Sequence, residues 1–210
     1  MMSLFNSVYR ILAFSLLLLP FNSLYAQNQT IVVFGDSISA AYGMDPSDGW
    51  VTLLANNLSA RQSPYKVVNA SVSGETTGGG LARLPKTLEV HKPDILVLEL
   101  GGNDGLRGYP IGKIESNLVR VIRLATESGA RVLLVGMVLP PNYGPRYTAA
   151  FEKLFKNVAN TTSIAFVPFL LDGVGTDEDL MQKDGIHPKA EAQPLLLNDI
   201  WPGIEALMQR

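Results

Sequence analysis

The feature that most constrains this chain is an alternation of two apolar rhythms. Short, mainly apolar runs occur at residues 31–34, 67–68, 95–100, 132–138 and 164–169. Each is followed by a stretch whose apolar residues recur three or four apart. The first kind of run suits a strand buried on both faces, and the second a helix with one apolar stripe. The helical stretches are marked by Trp50, Leu53, Leu54 and Leu58, then by Leu81, Leu84 and Leu88. Residues 111–128 follow, with Ile114, Leu118, Val121, Ile122 and Ala125 on one face and Gly129 as the stop signal. Phe151, Leu154, Phe155 and Val158 mark a helix over 147–159, and a last helix covers 190–208. Asp48-Gly49 is placed to cap the first helix; Pro85 mars the second, Pro194 and Pro202 are expected to interrupt the last, and residues 171–183 show no clear rhythm.

Strand–helix alternation throughout points to an α/β fold. It predicts a three-layer αβα sandwich around a mostly parallel, five-stranded, flavodoxin-like sheet. With strand order 2-1-3-4-5, strand one lies between strands two and three at ~4.8 Å spacing. The segments that leave these three strands then meet at the carboxyl edge of the sheet, where open α/β folds bind ligands.

Three of those segments carry chemistry. Gly35-Asp36-Ser37-Ile38-Ser39 delivers a serine to the bend after strand one. Ser73-Gly74 follows strand two, and Gly101-Gly102-Asn103-Asp104 follows strand three. A serine hydroxyl needs a base to take its proton and an acid to hold that base. Of the two histidines, His91 lies at the end of a polar helix before Lys92-Pro93 and reads as an exposed helix-end residue. His187 lies in Asp184-Gly185-Ile186-His187-Pro188, and three-residue spacing lets carboxylate and imidazole face one way across a tight turn. A plain turn followed by a helix start accounts for that segment equally well, and a base for the serine is what tips the choice. For the oxyanion, the Ser37 and Gly74 backbone N–H groups and the Asn103 side-chain amide are candidate donors. Gly74 also fits a positive-φ turn, and residues 101–104 also fit a bare turn. Asp36 reads as a hydrogen-bond acceptor in the turn, able to position the serine loop, rather than as a catalyst.

Competing signatures are absent from the sequence. It has no Gly-x-Ser-x-Gly elbow, and no Gly-x-Gly-x-x-Gly follows strand one. Gly78-Gly79-Gly80 lacks the Lys-Ser/Thr of a phosphate loop, and two distant histidines without cysteine make a poor zinc site. No metal or cofactor is expected.

Taken in order, Gly35-Asp36-Ser37-Ile38, Gly74, Gly101-Gly102-Asn103-Asp104 and Asp184-Gly185-Ile186-His187 resemble the four blocks of the SGNH (GDSL-type) serine hydrolases. Ile38 stands where leucine is commonest in that family, a packing position. Residues 69–77, 98–108 and 139–144 are similar to the family's periplasmic thioesterase, lysophospholipase and arylesterase branch. The resemblance implies the SGNH hydrolase fold, with Ser37 as nucleophile, His187 as base and Asp184 as its orienting acid. It likewise implies an oxyanion hole from Ser37, Gly74 and Asn103.

The chain of 210 residues, 17% charged and 47% hydrophobic, fits one globular domain over 27–210 behind a secretory signal at 1–26. In that signal Arg10 is the one charged residue, 11–19 is an apolar run broken by Pro20, and Ala26 is a small residue for cleavage. Nine residues are too short for a bilayer, which needs about 20, so no stable membrane anchor is expected after removal. Without Arg10, 16 basic side chains face 19 acidic ones, and no basic run occurs, which argues against a nucleic-acid partner. Cysteine is absent, so disulfides and thiol catalysis are excluded, and the core must stabilise the fold. The expectation is an exported monomer in the periplasm or the medium. It acts on small acyl esters or thioesters, with Leu106, Tyr109, Pro141 and Tyr143 lining an acyl or aryl site; ordinary loop packing explains those four residues as well. A carbohydrate O-deacetylase of the same family, and a non-catalytic periplasmic binding protein, are the alternatives.

Overall fold

The computed structural model describes residues 29–209, so the expected signal segment at 1–26 lies outside the described residues. The strands are β1 (Gln29–Gly35), β2 (Tyr65–Asn69), β3 (Ile95–Glu99), β4 (Arg131–Val135) and β5 (Ala165–Val167). They form one parallel sheet in the order β2-β1-β3-β4-β5, as the alternation predicted. The helices are α1 (Trp50–Ala60), α2 (Thr77–His91), α3 (Gly102–Leu106), α4 (Ile111–Glu127), α5 (Pro145–Thr162) and α6 (Gln193–Met208).

The period of two along a strand sorts the core into two layers. Ile31 and Val33 of β1, Ile95 and Val97 of β3, and Leu133 and Val135 of β4 face α1 and α6. Val32 and Phe34, Leu96 and Leu98, and Val132 and Leu134 face α2, α4 and α5. Continuous apolar strands are therefore required, because both faces are covered. The exception is Glu99, a fully buried acid at the end of β3.

Several boundaries differ from the sequence expectation for local reasons. β4 ends at Val135, not 138; the Gly136 N–H still donates to the Val167 carbonyl at 2.8 Å, and a Cβ at Gly136 would sit 2.1 Å from the Pro168 carbonyl oxygen. β5 ends at Val167 because Pro168 has no N–H to continue the ladder. Residues 101–104 are not a bare turn but open α3. No side chain caps α1 where Asp48-Gly49 was expected to; instead the Trp50 N–H donates to Gln193 Oε1 at 3.0 Å. The last α-helix starts at Gln193, after a 3₁₀ turn at Ala190–Ala192, and is unbroken. Pro194 lies in its first turn, where an N–H is not needed, and Pro202 is exposed, so water can take up the carbonyl it frees. Pro85 is exposed in α2 in the same way.

Candidate active site

β1 ends at Gly35, and a Cβ at that position would sit 2.4 Å from Glu99 Oε2, so only glycine lets the chain turn so close to the neighbouring strand. Asp36 then closes a turn of its own, with Oδ1 accepting the Ile38 N–H at 3.1 Å. This turn aims Ser37 into a cavity of about 680 Å³ at the carboxyl edge of the sheet.

The chain leaving β2 is pinned along β1. Ala70 N–H donates to the Val33 carbonyl, Val72 N–H to the Gly35 carbonyl, and Asn69 Nδ2 to the Ser39 carbonyl. Arg83 holds the same loop from α2, donating to Ala70 O at 2.7 Å and to Glu75 Oε2 at 2.6 Å. The loop thereby sets Ser73 and Gly74 on the cavity wall, with Gly74 at φ +78°. Among the described residues, neither the Ser37 nor the Gly74 N–H has a hydrogen-bond acceptor.

Gly101, at φ +125°, lets the chain leave β3 beneath the Phe155 ring and enter α3, whose second residue is Asn103. Asn103 Nδ2 donates to Asp36 Oδ2 at 3.1 Å and has a second hydrogen to give. Asp104, buried, fixes α3 in place. Its carboxylate accepts the Thr77 N–H and hydroxyl at 2.8 and 2.6 Å, and Asn117 Nδ2 donates to that same hydroxyl oxygen.

Asp184 and His187 lie on a narrow hairpin closed by a bridge between Met181 and Pro188. His187 Nε2 is 2.8 Å from Ser37 Oγ, and His187 Nδ1 is 2.7 Å from Asp184 Oδ2. Asp184 Oδ1 accepts the Ile186 and His187 N–H groups at 2.9 and 3.0 Å. Its burial would raise the carboxyl; the hydrogen bonds from the His187 ring and from the two backbone groups outweigh that and hold it at about 2. The hairpin is tied to the serine loop by Gln182, whose Nε2 donates to the Tyr42 and Pro188 carbonyls at 2.8 and 3.1 Å. The Tyr42 ring packs on His187, with centroids 4.5 Å apart.

Segments from four parts of the sequence therefore meet around one hydroxyl. The His187 ring stands between the Ser37 hydroxyl and the Asp184 carboxylate, and Ser37, Gly74 and Asn103 line the same cavity. Among the described residues no cluster of three or more His, Asp or Glu side chains could hold a metal ion. His91 is the last residue of α2 and does not line this cavity. Of the expected lining residues, Leu106 and Pro141 are on the cavity wall. Tyr109 and Tyr143 are not: the Tyr143 hydroxyl turns back to donate to the Leu106 carbonyl, and Tyr109 stands on the surface.

Sequence reasoning missed three residues here. Glu99 left a signal, as the one charged side chain in an apolar strand run. Gln182 and Tyr42 left none, because their roles arise from the meeting of two loops 140 residues apart.

The chain is similar to proteins of known name over most of its length. It is 52% identical to the esterase TesA of Pseudomonas aeruginosa over 183 residues, 87% of this chain and 91% of that protein. It is 40% identical over 194 residues, 91% of both chains, to thioesterase 1/protease 1/lysophospholipase L1 of Escherichia coli K12. A crystal structure of TesA superimposes with a TM-score of 0.83, covering 85% of this chain and 99% of that one. The esterase EstA of Pseudoalteromonas sp., solved inhibited by monoethylphosphonate, also gives 0.83 at 39% identity, covering 87% of this chain and 100% of that one. Residues 33–194 match the GDSL-like Lipase/Acylhydrolase family, and with the relatives this establishes that the chain belongs to that family.

Proposed function

We propose that this protein is a serine hydrolase of acyl esters and thioesters, its substrates including aryl esters and lysophospholipids. The observation that carries this reading is the relay from Ser37 Oγ through His187 to Asp184, at 2.8 and 2.7 Å, at the wall of an apolar cavity. The substrate carbonyl enters beside Ser37. As the hydroxyl attacks, its proton passes to His187 Nε2, while the Nδ1–H stays on Asp184 and steadies the imidazolium. The carbonyl oxygen becomes an oxyanion that takes the Ser37 and Gly74 N–H groups and the second Asn103 amide hydrogen. The bond to the alcohol or thiol breaks, and that group leaves with the proton from His187. A water then loses a proton to His187 and attacks the acyl-enzyme, releasing the acid and free Ser37.

The substrate reading rests on the cavity. Its volume lies within the ordinary range for small-molecule sites, and Ile38, Met137, Val138, Leu139, Leu171 and Met181 line it. An acyl chain or aryl ring can be buried there; an acetyl group would leave most of it unfilled. Esters of medium and long acyl chains are therefore expected to react faster than acetyl esters. A panel of chain lengths on aryl, thio and lysophospholipid substrates tests this, and a preference for acetyl groups on sugars would favour the carbohydrate O-deacetylase. The intact relay argues against a non-catalytic binding protein.

The same proposal includes export to the periplasm or the medium after removal of residues 1–26 and action as a monomer without a metal or cofactor. No helix among the described residues is long and apolar enough to cross a membrane. Amino-terminal sequencing of the protein from separated cell fractions tests the export.

A further inference from the structure

Glu99 ends β3 directly beneath the serine loop and is 1% exposed. Its Oε2 accepts the Ser39 hydroxyl at 2.7 Å and the Asp36 N–H at 3.2 Å. Its Oε1 is buried and has no donor among the described residues. The neighbouring acid is Asp36, 3% exposed, which lies against Glu99 through its own N–H. Asp36 accepts from Ile38 N–H and from Asn103 Nδ2. The group acting on Asp36 that can become a cation is His187. Arg83, across the Phe34 ring, is engaged with Glu75 and Ala70, and Asp104 with Thr77.

Two adjacent buried carboxylates cannot both ionise without a large cost, so one holds a proton. We propose that Glu99 is a positioning residue that works as a neutral carboxylic acid: its Oε1–H donates to the Asp36 carboxylate and thereby holds Asp36 as the acceptor for the Asn103 amide. Burial, and then the charge of Asp36, push the Glu99 carboxyl well above the usual range. Asp36 rises only to about 6, because burial is opposed by the Ile38 N–H, by His187, by Asn103 and by Glu99 itself. Both Asp36 oxygens already accept hydrogen bonds, Oδ1 from the Ile38 N–H and Oδ2 from Asn103 Nδ2, whereas Glu99 Oε1 accepts none, so the proton lies on Glu99.

This arrangement has a consequence for the oxyanion hole. With one hydrogen of the Asn103 amide committed to Asp36, the amide cannot turn its carbonyl into the cavity, and its second hydrogen faces the oxyanion. Ser39 and the Asp36 N–H, both held by Glu99, brace the loop on either side of Ser37. The single negative charge left on Asp36 also favours the imidazolium that forms on His187.

The inference rests on the reading of Asn103 as an oxyanion donor, so its test includes one readout independent of activity. Infrared difference spectra of the full protein at neutral pH, wild type against Glu99→Gln, are expected to show the carbonyl stretch of a neutral carboxylic acid in the wild type alone. Glutamine keeps both functions, since its amide can donate to Asp36 and its oxygen can accept from Ser39. Leucine keeps neither. On a chromogenic ester, Glu99→Gln is expected to lose no more than about tenfold in kcat, and Glu99→Leu about 10²–10³-fold with little change in KM. Absence of the carbonyl band, or equal losses in the two variants, or wild-type kcat in Glu99→Leu, would overturn the proposal. Should Glu99→Leu not fold, the band and Glu99→Gln decide the matter. Failure of the catalytic reading itself would appear separately, as wild-type activity in Asn103→Ala with the carbonyl band still present.

Discussion

Replacing Asp36 with asparagine is expected to make the protein more stable and less active at once. In the fold the Asp36 carboxyl is raised from 3.8 to about 6, chiefly by burial. Two units at ~1.4 kcal/mol each put the cost of its ionisation at about 3 kcal/mol. The sign follows from linkage. Below pH ~4 the group is protonated in folded and unfolded chains alike, and no cost arises. Between about 4 and 6 it ionises in the unfolded chain first, so the cost grows; above about 6 it is complete. Asparagine removes it, less about 1 kcal/mol for a poorer hydrogen bond to Asn103. The variant should therefore gain about 2 kcal/mol at pH 8, or about 4–8 °C in Tm for a chain of this size, and nothing at pH 4. Activity moves the other way. The amide of asparagine at this position points a donor at the Asn103 donor, so Asn103 turns its carbonyl to it and presents an acceptor to the oxyanion. Loss of that contribution is expected to cost about 10²–10³ in kcat. Thermal unfolding at pH 4, 6 and 8, paired with kcat on one ester, checks both halves. A Tm difference independent of pH, or near-wild-type kcat, would show that Asp36 does not act as described.

Ser37→Ala is expected to stay folded and lose at least ~10³-fold in turnover; near-normal rates from pure protein would remove Ser37 from the mechanism. Gly43 has φ +76°, and a Cβ there would lie 2.4 Å from Gln182 Oε1. Gly43→Ala should therefore cost about 1–3 kcal/mol in stability and, by displacing the Gln182 tie between the two loops, up to about 10²-fold in kcat, with Gln182→Ala reproducing only the kinetic part. Because Asp184 is held at about 2, its contribution to stability is present above its unfolded value of 3.8 and is lost as pH falls through about 2. Asp184→Asn leaves the imidazolium without its counter-charge and is expected to lower kcat by about 10²–10⁴-fold in a folded protein; near-wild-type kcat would separate Asp184 from the base. Val138 lines the cavity and is partly exposed, so Val138→Trp should fold normally and lower the long-to-short-chain ratio of kcat/KM by about tenfold or more, measured on a chain-length series.

The fold could be read from the sequence because it depends on local rhythm. Apolar runs such as 95–100 have no exposed face, and the alternation with helices leaves few orders for a parallel sheet. The meeting of Ser37, Gly74 and Asn103 followed from that order, whereas His187 was singled out by the need of the serine for a base. Strand ends were misread where a single residue decides them, as at Pro168, which has no N–H to continue the ladder. The last helix was misread because a proline's effect depends on position and exposure, which Pro194 and Pro202 do not reveal in sequence. The Asp36–Glu99 pair depends on the register that sets Gly35 beside Glu99, a property of two strands rather than of either. Tyr109 and Tyr143 were placed by proximity in sequence to the site, and their orientation is set instead by α3 and the Pro141–Tyr143 turn.

A crystal structure of the wild-type protein after reaction with a monoalkyl phosphonate bears most directly on the convergence of these segments, since the phosphonyl oxygen copies the oxyanion. The expected result is a covalent bond to Ser37 Oγ, with that oxygen within hydrogen-bond distance of the Ser37 and Gly74 N–H groups and of Asn103 Nδ2. A bond to any other residue, or an oxygen turned away from these three donors, would contradict the site as described.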